Sequence, residues 1–145
     1  MKRLANTVFQ LDSQISGVQW AINSINAQLQ QKQEDLIRLK RALSQLLDCS
    51  DEFQHKKGVC LDPSLSKNTW SGSMANNFEG FKQRELQGSY QSIEQRDLQT
   101  VISRVETEIE QIKQEIISLE NDRSSQQSRL NDLHDQRRGE LLNNE

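Results

Sequence analysis

Two cysteines and a histidine near the middle of the chain carry the side chains best suited to chemistry. They are Cys49, His55 and Cys60. After export to an oxidising compartment, a disulfide between the cysteines would close a short loop and stabilise the fold by roughly 3 kcal/mol. In a reducing cytoplasm both would be free thiols. As a metal site the trio lacks a fourth ligand and the close CxxC spacing of strong zinc sites. We therefore expect a Cys49–Cys60 disulfide only after export, and no bound metal or cofactor.

The sequence contains no recognisable catalytic motif. A glycine-rich phosphate loop, GxSxG and HExxH are all absent. His55 and His134 are far apart in sequence, and paired carboxylates such as Glu106 and Glu110 have the spacing of an exposed helix face. Catalysis needs a concave pocket that excludes water, which the two-helix fold inferred below does not offer. We therefore expect a protein that is not an enzyme.

Composition argues against several other classes of function. The 145 residues are 33% hydrophobic and 27% charged, and the net charge is −3. That balance creates no basic field for nucleic acid or anionic lipid. Neither an apolar run long enough to cross a membrane nor a conventional signal peptide is visible. We therefore expect a cytoplasmic protein, exported only by a route that does not read such a peptide.

The first part of the chain shows a regular heptad pattern. Apolar residues alternate in spacing between four and three, and only Lys32 and Ser50 break the series. Seven heptads in one register predict a long coiled-coil arm over about residues 4–57. The seam consists of Leu4, Val8, Leu11, Ile15, Val18, Ile22, Ile25, Leu29, Lys32, Leu36, Leu39, Leu43, Leu46, Ser50 and Phe53.

Among the apolar residues of this arm that lie off the seam are Trp20, Ile37 and Leu47. Isolated exposed apolar residues are common on protein surfaces and need no explanation. Tryptophan, however, is among the residues most enriched at binding hot spots. The alternative is therefore that these residues form a second contact surface, for another helical protein.

The pattern stops between residues 58 and 69, where the only proline lies, and this predicts a turn. A second arm follows over about 70–140. Its heptads run in one phase through Leu98, Ile102, Val105, Ile109, Ile112, Ile116, Leu119, Arg123, Gln126, Leu130 and Leu133, whereas Met74, Phe78, Phe81, Leu86, Tyr90 and Ile93 keep another. This slip predicts a bend or loosened packing. The second arm is about 17 residues longer than the first, so we expect its polar end, from about Asn121, to extend past the first arm. This end is either a frayed tail or a segment that becomes ordered on a partner.

These patterns together predict an all-α fold. The expected architecture is an elongated antiparallel helical hairpin that forms a single domain over residues 1–145. At its turn stands the tripeptide Trp70-Ser71-Gly72. We expect Trp70, Phe78 and Phe81 to form an aromatic cluster where the two arms part, with Gly72 allowing the backbones to approach closely.

A hairpin with W-x-G at its turn resembles the WXG (Esx-like) superfamily of the type VII secretion system. The closer resemblance is to the YwqH-like family of helical proteins encoded beside LXG polymorphic toxins in Gram-positive bacteria. It covers most of the chain and is carried by Cys49, Phe53, Cys60, residues 63–65, Thr69, Trp70, Gly72, Ala75, Phe78, Tyr90 and the isoleucine-rich heptads. Ordinary WXG proteins are shorter than this chain.

The resemblance implies a cytoplasmic accessory protein. Such a protein would bind the helical LXG domain of a toxin, with or without a second small helical accessory protein, and escort the toxin to the type VII machine. The family's Y-x-x-x-D/E export motif is matched by Tyr90 and Glu94, although these lie in mid-helix rather than near the C-terminus. Tyr90 also fits the local apolar phase, which favours core packing over an export signal.

Two other functions stay open at this point. The protein could itself be an exported Esx-like substrate that leaves with its partner. It could also be a structural coiled coil that self-associates, because pairing between arms and pairing between copies use the same heptads.

Overall fold

The computed structural model describes residues 2–56 and 73–143, and every one of these residues is helical. Helix α1 spans Lys2–Lys56. The second arm contains α2 (Ser73–Phe81), a π-helical segment (Lys82–Leu86), α3 (Gln87–Ser92), a second π-helical segment (Ile93–Leu98) and α4 (Gln99–Asn143). The predicted all-α class is confirmed. The predicted turn, with Cys60, Trp70 and Gly72, lies outside the described residues.

The chain divides into two compact units. The first combines Met1–Ile37 with Glu110–Glu145, and the second is Arg38–Ile109. In the described part of the chain, no helix is both long and apolar enough to cross a membrane.

The first unit is an antiparallel pair formed by α1 and α4. Its core consists of Leu11, Ile15, Val18, Leu130 and Leu133, with Ile22 packed against it. Polar contacts show the direction of pairing, because partners of rising number in α1 have falling numbers in α4. Arg137 Nε donates to Asp12 Oδ1 at 2.6 Å, Arg123 Nη1 donates to Asn26 Oδ1 at 3.2 Å, and Lys32 pairs with Glu115.

The C-terminal part of α4 packs on α1, so the expected overhang is wrong. Leu130 and Leu133 are only 9% and 5% exposed, in the same core as Leu11. Asp12 pairs with Arg137, and within the described helices ten residues of α1 precede Asp12 while six residues of α4 follow Arg137. The prediction failed because it aligned the two arms at the turn and placed all of the excess length at the other end. Heptad spacing does not determine the register in which two arms pair.

Lys32 shows how a charged residue is accommodated at a seam position. Its Nζ lies 2.5 Å from Glu115 Oε2, and Gln111 Nε2 donates to Glu115 Oε1 at 3.3 Å. The hydrogen bond from Lys32, and then that from Gln111, lower the pKa of the Glu115 carboxyl below its usual value. The ammonium thus stays half-exposed and paired although it occupies a seam position.

The lowered pKa of Glu115 makes stability depend on pH in a defined direction. A carboxyl whose pKa is lower in the folded state stabilises the fold above its unfolded pKa, and the effect is lost as pH falls through the folded pKa. We expect Glu115→Gln to flatten the fall in melting temperature below about pH 4.5. The effect should be small, because the pair is partly exposed. Parallel acid titrations of melting temperature that coincide for the two proteins would contradict this expectation.

The second unit contains both π-helical segments. The apolar series has five-residue steps at just two places, Phe81 to Leu86 and Ile93 to Leu98, and each step coincides with a π-helical segment. Hydrogen bonds from residue i to i+5 keep side chains five apart on one side of the helix, so the wide turns absorb the slip in phase. Phe81, Leu86 and Ile93 are all more than 40% exposed. The packing is therefore loosened where the sequence predicted it.

Candidate interaction surface

Two aromatic side chains stand out on the outer face of α1 in the first unit. Phe9 and Trp20 are each 73% exposed. They are eleven residues apart, which is about three helical turns and about 16 Å along the axis, so both point to the same side. That side is opposite the buried seam of Leu11, Ile15 and Val18. The hairpin core therefore makes no use of either aromatic ring.

Only small side chains separate the two aromatic residues on this face. Ser13, Ser16 and Gly17 are all exposed. A Cβ atom built on Gly17 would meet nothing within 4 Å, so packing within the chain does not require glycine there. Glycine in mid-helix costs about 1 kcal/mol relative to alanine. We call this part of the helix the Phe9–Trp20 surface. It consists of two aromatic residues with small residues between them: Phe9, Ser13, Ser16, Gly17 and Trp20.

The one charged side chain at the edge of the Phe9–Trp20 surface is paired within the chain. Between Arg3 and Lys32 the only charged residue is Asp12, and its carboxylate is bound by Arg137. The cores of protein interfaces are depleted in charged residues and enriched in aromatic ones. The exposed face of α4 in the first unit, by contrast, carries acidic residues such as Glu120 and Asp122. Among the exposed faces of the first unit, this one has the composition of a contact surface.

Sequence reasoning identified Trp20 but missed Phe9. Phe9 follows the seam residue Val8 directly, and only its spacing of eleven from Trp20 shows that the two share a face. Ile37, 59% exposed, comes 17 residues after Trp20 and lies about 100° round the helix. Leu47, 46% exposed, belongs to the second unit. Neither residue is part of the Phe9–Trp20 surface.

In the second unit neither Tyr90 nor Glu94 has an exposed side chain. The Tyr90 ring is half-buried, with its centroid 4.9 Å from that of Phe53. Glu94 is only 6% exposed, and its Oε2 atom has no hydrogen-bond partner within the described residues. A receptor that binds the side chains of Tyr90 and Glu94 directly would therefore require both to move out of their packed positions.

Burial of the Glu94 carboxylate should reduce stability, because an unpaired polar atom gives up its hydration. We expect Glu94→Leu to raise the free energy of unfolding by about 1 kcal/mol. The exposed Glu108→Leu should change it by less than about 0.5 kcal/mol. Urea denaturation of both variants would measure the difference. A destabilised Glu94→Leu protein would show instead that the carboxylate has a stabilising partner.

The remaining predicted residues are only partly described. Phe78 and Phe81 are 42% and 52% exposed, while the third member of their predicted cluster, Trp70, lies outside the described residues. Cys49 is half-buried, and the disulfide with Cys60 stays a prediction for the same reason. His55 is exposed. The helices described contain no cluster of three His, Cys, Asp or Glu side chains that could hold a metal ion.

An open groove of about 670 Å³ also follows the outside of the helix from Gln95 to Glu108. Amide, hydroxyl and guanidinium groups line it, including those of Gln99, Thr100 and Arg104. No nucleophile is paired with a base among its lining residues. The groove therefore has the character of a solvated helix face.

Comparison with known proteins gives one match. A protein-family model described as YwqH-like matches residues 13–135, which include Trp20, Tyr90 and Glu94 but not Phe9. No curated protein and no solved structure matches the chain significantly. The family match spans most of the 145 residues. The chain belongs to the YwqH-like family.

Proposed function

We propose that this protein is a non-enzymatic adaptor that binds a helical partner protein through the Phe9–Trp20 surface. The observation that carries the proposal is a 73% exposed tryptophan opposite the core, on a helix face whose one charge, Asp12, is paired with Arg137. Burying a tryptophan removes about 150–250 Å² of surface from water, and such residues dominate interface energetics.

The shape of the surface fits a helix as the partner. Serine and glycine between the two rings let a second backbone approach closely, and the rings would flank that helix on its two sides. Family membership supports the identity of the partner, which we propose to be the helical LXG domain of a secreted polymorphic toxin. The adaptor would hold this domain in the cytoplasm and help to target the toxin to a type VII secretion system.

The alternative is that the protein is itself exported with its partner as an Esx-like substrate. The spacing of Tyr90 and Glu94 favours it. The inward position of both side chains counts against direct reading of the pair. Secretion of the protein into culture medium that depends on the secretion ATPase, and on Tyr90 and Glu94, would favour this alternative.

The proposal is tested by co-expressing the chain with an LXG-domain toxin. We expect the two to co-purify as a stable complex, and deletion of the adaptor gene to reduce export of the toxin. A matched control carries Glu108→Ala, an exposed change on the outside of α4 that should leave the complex intact. Failure to co-purify, together with unchanged export after deletion, would exclude an adaptor role.

A further inference from the structure

We infer that the stretch of the second arm from Leu86 to Glu94 rotates about its own helix axis between two positions. In the position that the structure shows, Gln87 and Glu94 are turned inward and Leu86 and Ile93 face solvent. In the second position the two apolar residues take the inner places, and the amide and the carboxylate face solvent. This inference concerns the second unit alone and does not depend on the proposed function.

Two pairs of neighbouring residues carry the inference, because in each the apolar member is the more exposed. Leu86 is 44% exposed beside the half-buried Gln87, and Ile93 is 41% exposed beside Glu94, which is 6% exposed. Gln87 Nε2 and Glu94 Oε2 are buried and have no hydrogen-bond partner within the described residues. A buried polar atom without a partner and a large apolar side chain in water both reduce stability. The pairs are seven residues apart and so lie on one side of the helix, where a single rotation relieves both.

Tyr90 lies between the two pairs and belongs to the inner stripe in both positions. With Gln87 and Glu94 it forms the stripe that is turned inward in the structure, and with Leu86 and Ile93 it forms the apolar stripe. At 100° per residue the centres of the two stripes are about 65° apart, with Tyr90 midway between them. The contact of its ring with that of Phe53, at 4.9 Å between centroids, is therefore compatible with both positions.

The π-helical segments at both ends of the stretch give independent support. They span Lys82–Leu86 and Ile93–Leu98, with α3 between them. A π-helical turn holds more residues than an α-helical turn, so a change between the two turns the helix on one side relative to the other. The chain stays helical throughout such a change. Wide turns at both ends thus allow the stretch to rotate while α2 and α4 keep their positions.

The exposure of the two flanks of the stretch measures the rotation. Ser89 and Gln91 are both exposed and lie on opposite sides of Tyr90. In the position that the structure shows, Gln91 is about 65° from the centre of the inner stripe and Ser89 about 130°, and rotation exchanges these angles. The two native cysteines of the full chain are replaced by serine, and a nitroxide label is attached to Ser89→Cys or Gln91→Cys. Collisions of the label with a neutral nickel chelate, measured by electron paramagnetic resonance, report its exposure.

Two variants should shift the rotation in opposite directions. Gln87→Glu places a second carboxylate on the inner stripe and should favour the apolar-inward position. The exchange variant swaps the residues within both pairs, so it keeps the composition of the chain and should hold the position that the structure shows. Its substitutions are Leu86→Gln, Gln87→Leu, Ile93→Glu and Glu94→Ile.

The ratio of label exposure at position 91 to that at position 89 should be lowest in the exchange variant, intermediate in the native background and highest in Gln87→Glu. We expect the two extremes to differ at least about twofold. Circular dichroism should show the same helix content in all three proteins. A native ratio equal to that of the exchange variant, or a ratio that Gln87→Glu leaves unchanged, would overturn the inference. Exposure that rises at both positions together would also overturn it, because the stretch would then detach rather than rotate.

Discussion

Trp20→Ala should lower the affinity for the LXG domain at least about 30-fold, which corresponds to a hot-spot loss of about 2 kcal/mol. The indole is 73% exposed and opposite the core, so its removal should leave the helix content and the melting temperature nearly unchanged. Loss of binding without loss of stability would separate a contact residue from a structural one. Isothermal calorimetry measures the affinity, at concentrations at which the free chain is monomeric.

Ile37→Ala is the matched control for this experiment. Ile37 is also apolar, also on α1 of the first unit and 59% exposed, but it lies about 100° round the helix from Trp20. We expect it to change the affinity by less than about threefold. If both substitutions weaken binding equally, the contact surface is wider than the Phe9–Trp20 surface. If Trp20→Ala binds like the native chain, the partner docks elsewhere.

Leu133→Ala should lower the free energy of unfolding by about 2–4 kcal/mol. Leu133 is 5% exposed in the core with Leu11, Ile15 and Val18, and replacing a buried leucine by alanine loses both its burial and its packing. The effect should be large because almost the whole leucine side chain is buried in this core.

Leu142→Ala is the corresponding control, since Leu142 is in the same helix and 62% exposed. It should change the free energy of unfolding by less than about 0.5 kcal/mol. Chemical denaturation of both variants compares a buried and an exposed leucine of α4. Equal, small effects would mean that the C-terminal part of α4 does not pack on α1 and that the chain ends in a frayed tail.

Heptad spacing predicted the seam of α1 well. From Leu11 to Phe53 every member of the series is buried or half-buried, including Lys32 and Ser50, and the off-seam Trp20 is exposed. The reason is physical: a 3.5-residue period leaves one stripe of a helix apolar, and that stripe can be covered only by a partner helix. Periodicity within one arm therefore determines which side chains turn inward.

The same periodicity could not determine how the arms align. Repeating heptads pair almost equally well in several registers, so neither the pairing of Asp12 with Arg137 nor the burial of Leu133 follows from them. Five-residue steps are equally ambiguous, because a loop or a π-helical turn can absorb them. Likewise, the burial of Glu94 depends on the turn that begins at Ile93.

Part of the Phe9–Trp20 surface could not be predicted from the sequence. Trp20 could be identified because tryptophan is common at binding sites. Phe9 directly follows a seam residue, and it shares a face with Trp20 only because α1 continues unbroken past both. The sequence also does not show that the space around Gly17 is open, which follows from the three-dimensional structure. The Phe9–Trp20 surface is exposed in the chain, whereas hydrophobic periodicity mainly indicates which residues are buried.

The most direct test of partner binding follows Trp20 itself. The chain is labelled with 5-fluorotryptophan, and Trp70→Phe leaves Trp20 as its only tryptophan. Unlabelled LXG domain is then added at a concentration at which the adaptor alone is monomeric. We predict a shifted ¹⁹F resonance that no longer responds to exchange of H₂O for D₂O, because the indole becomes buried at the contact. A complex that forms while the resonance keeps its free position and its solvent response would contradict the Phe9–Trp20 surface as the binding site.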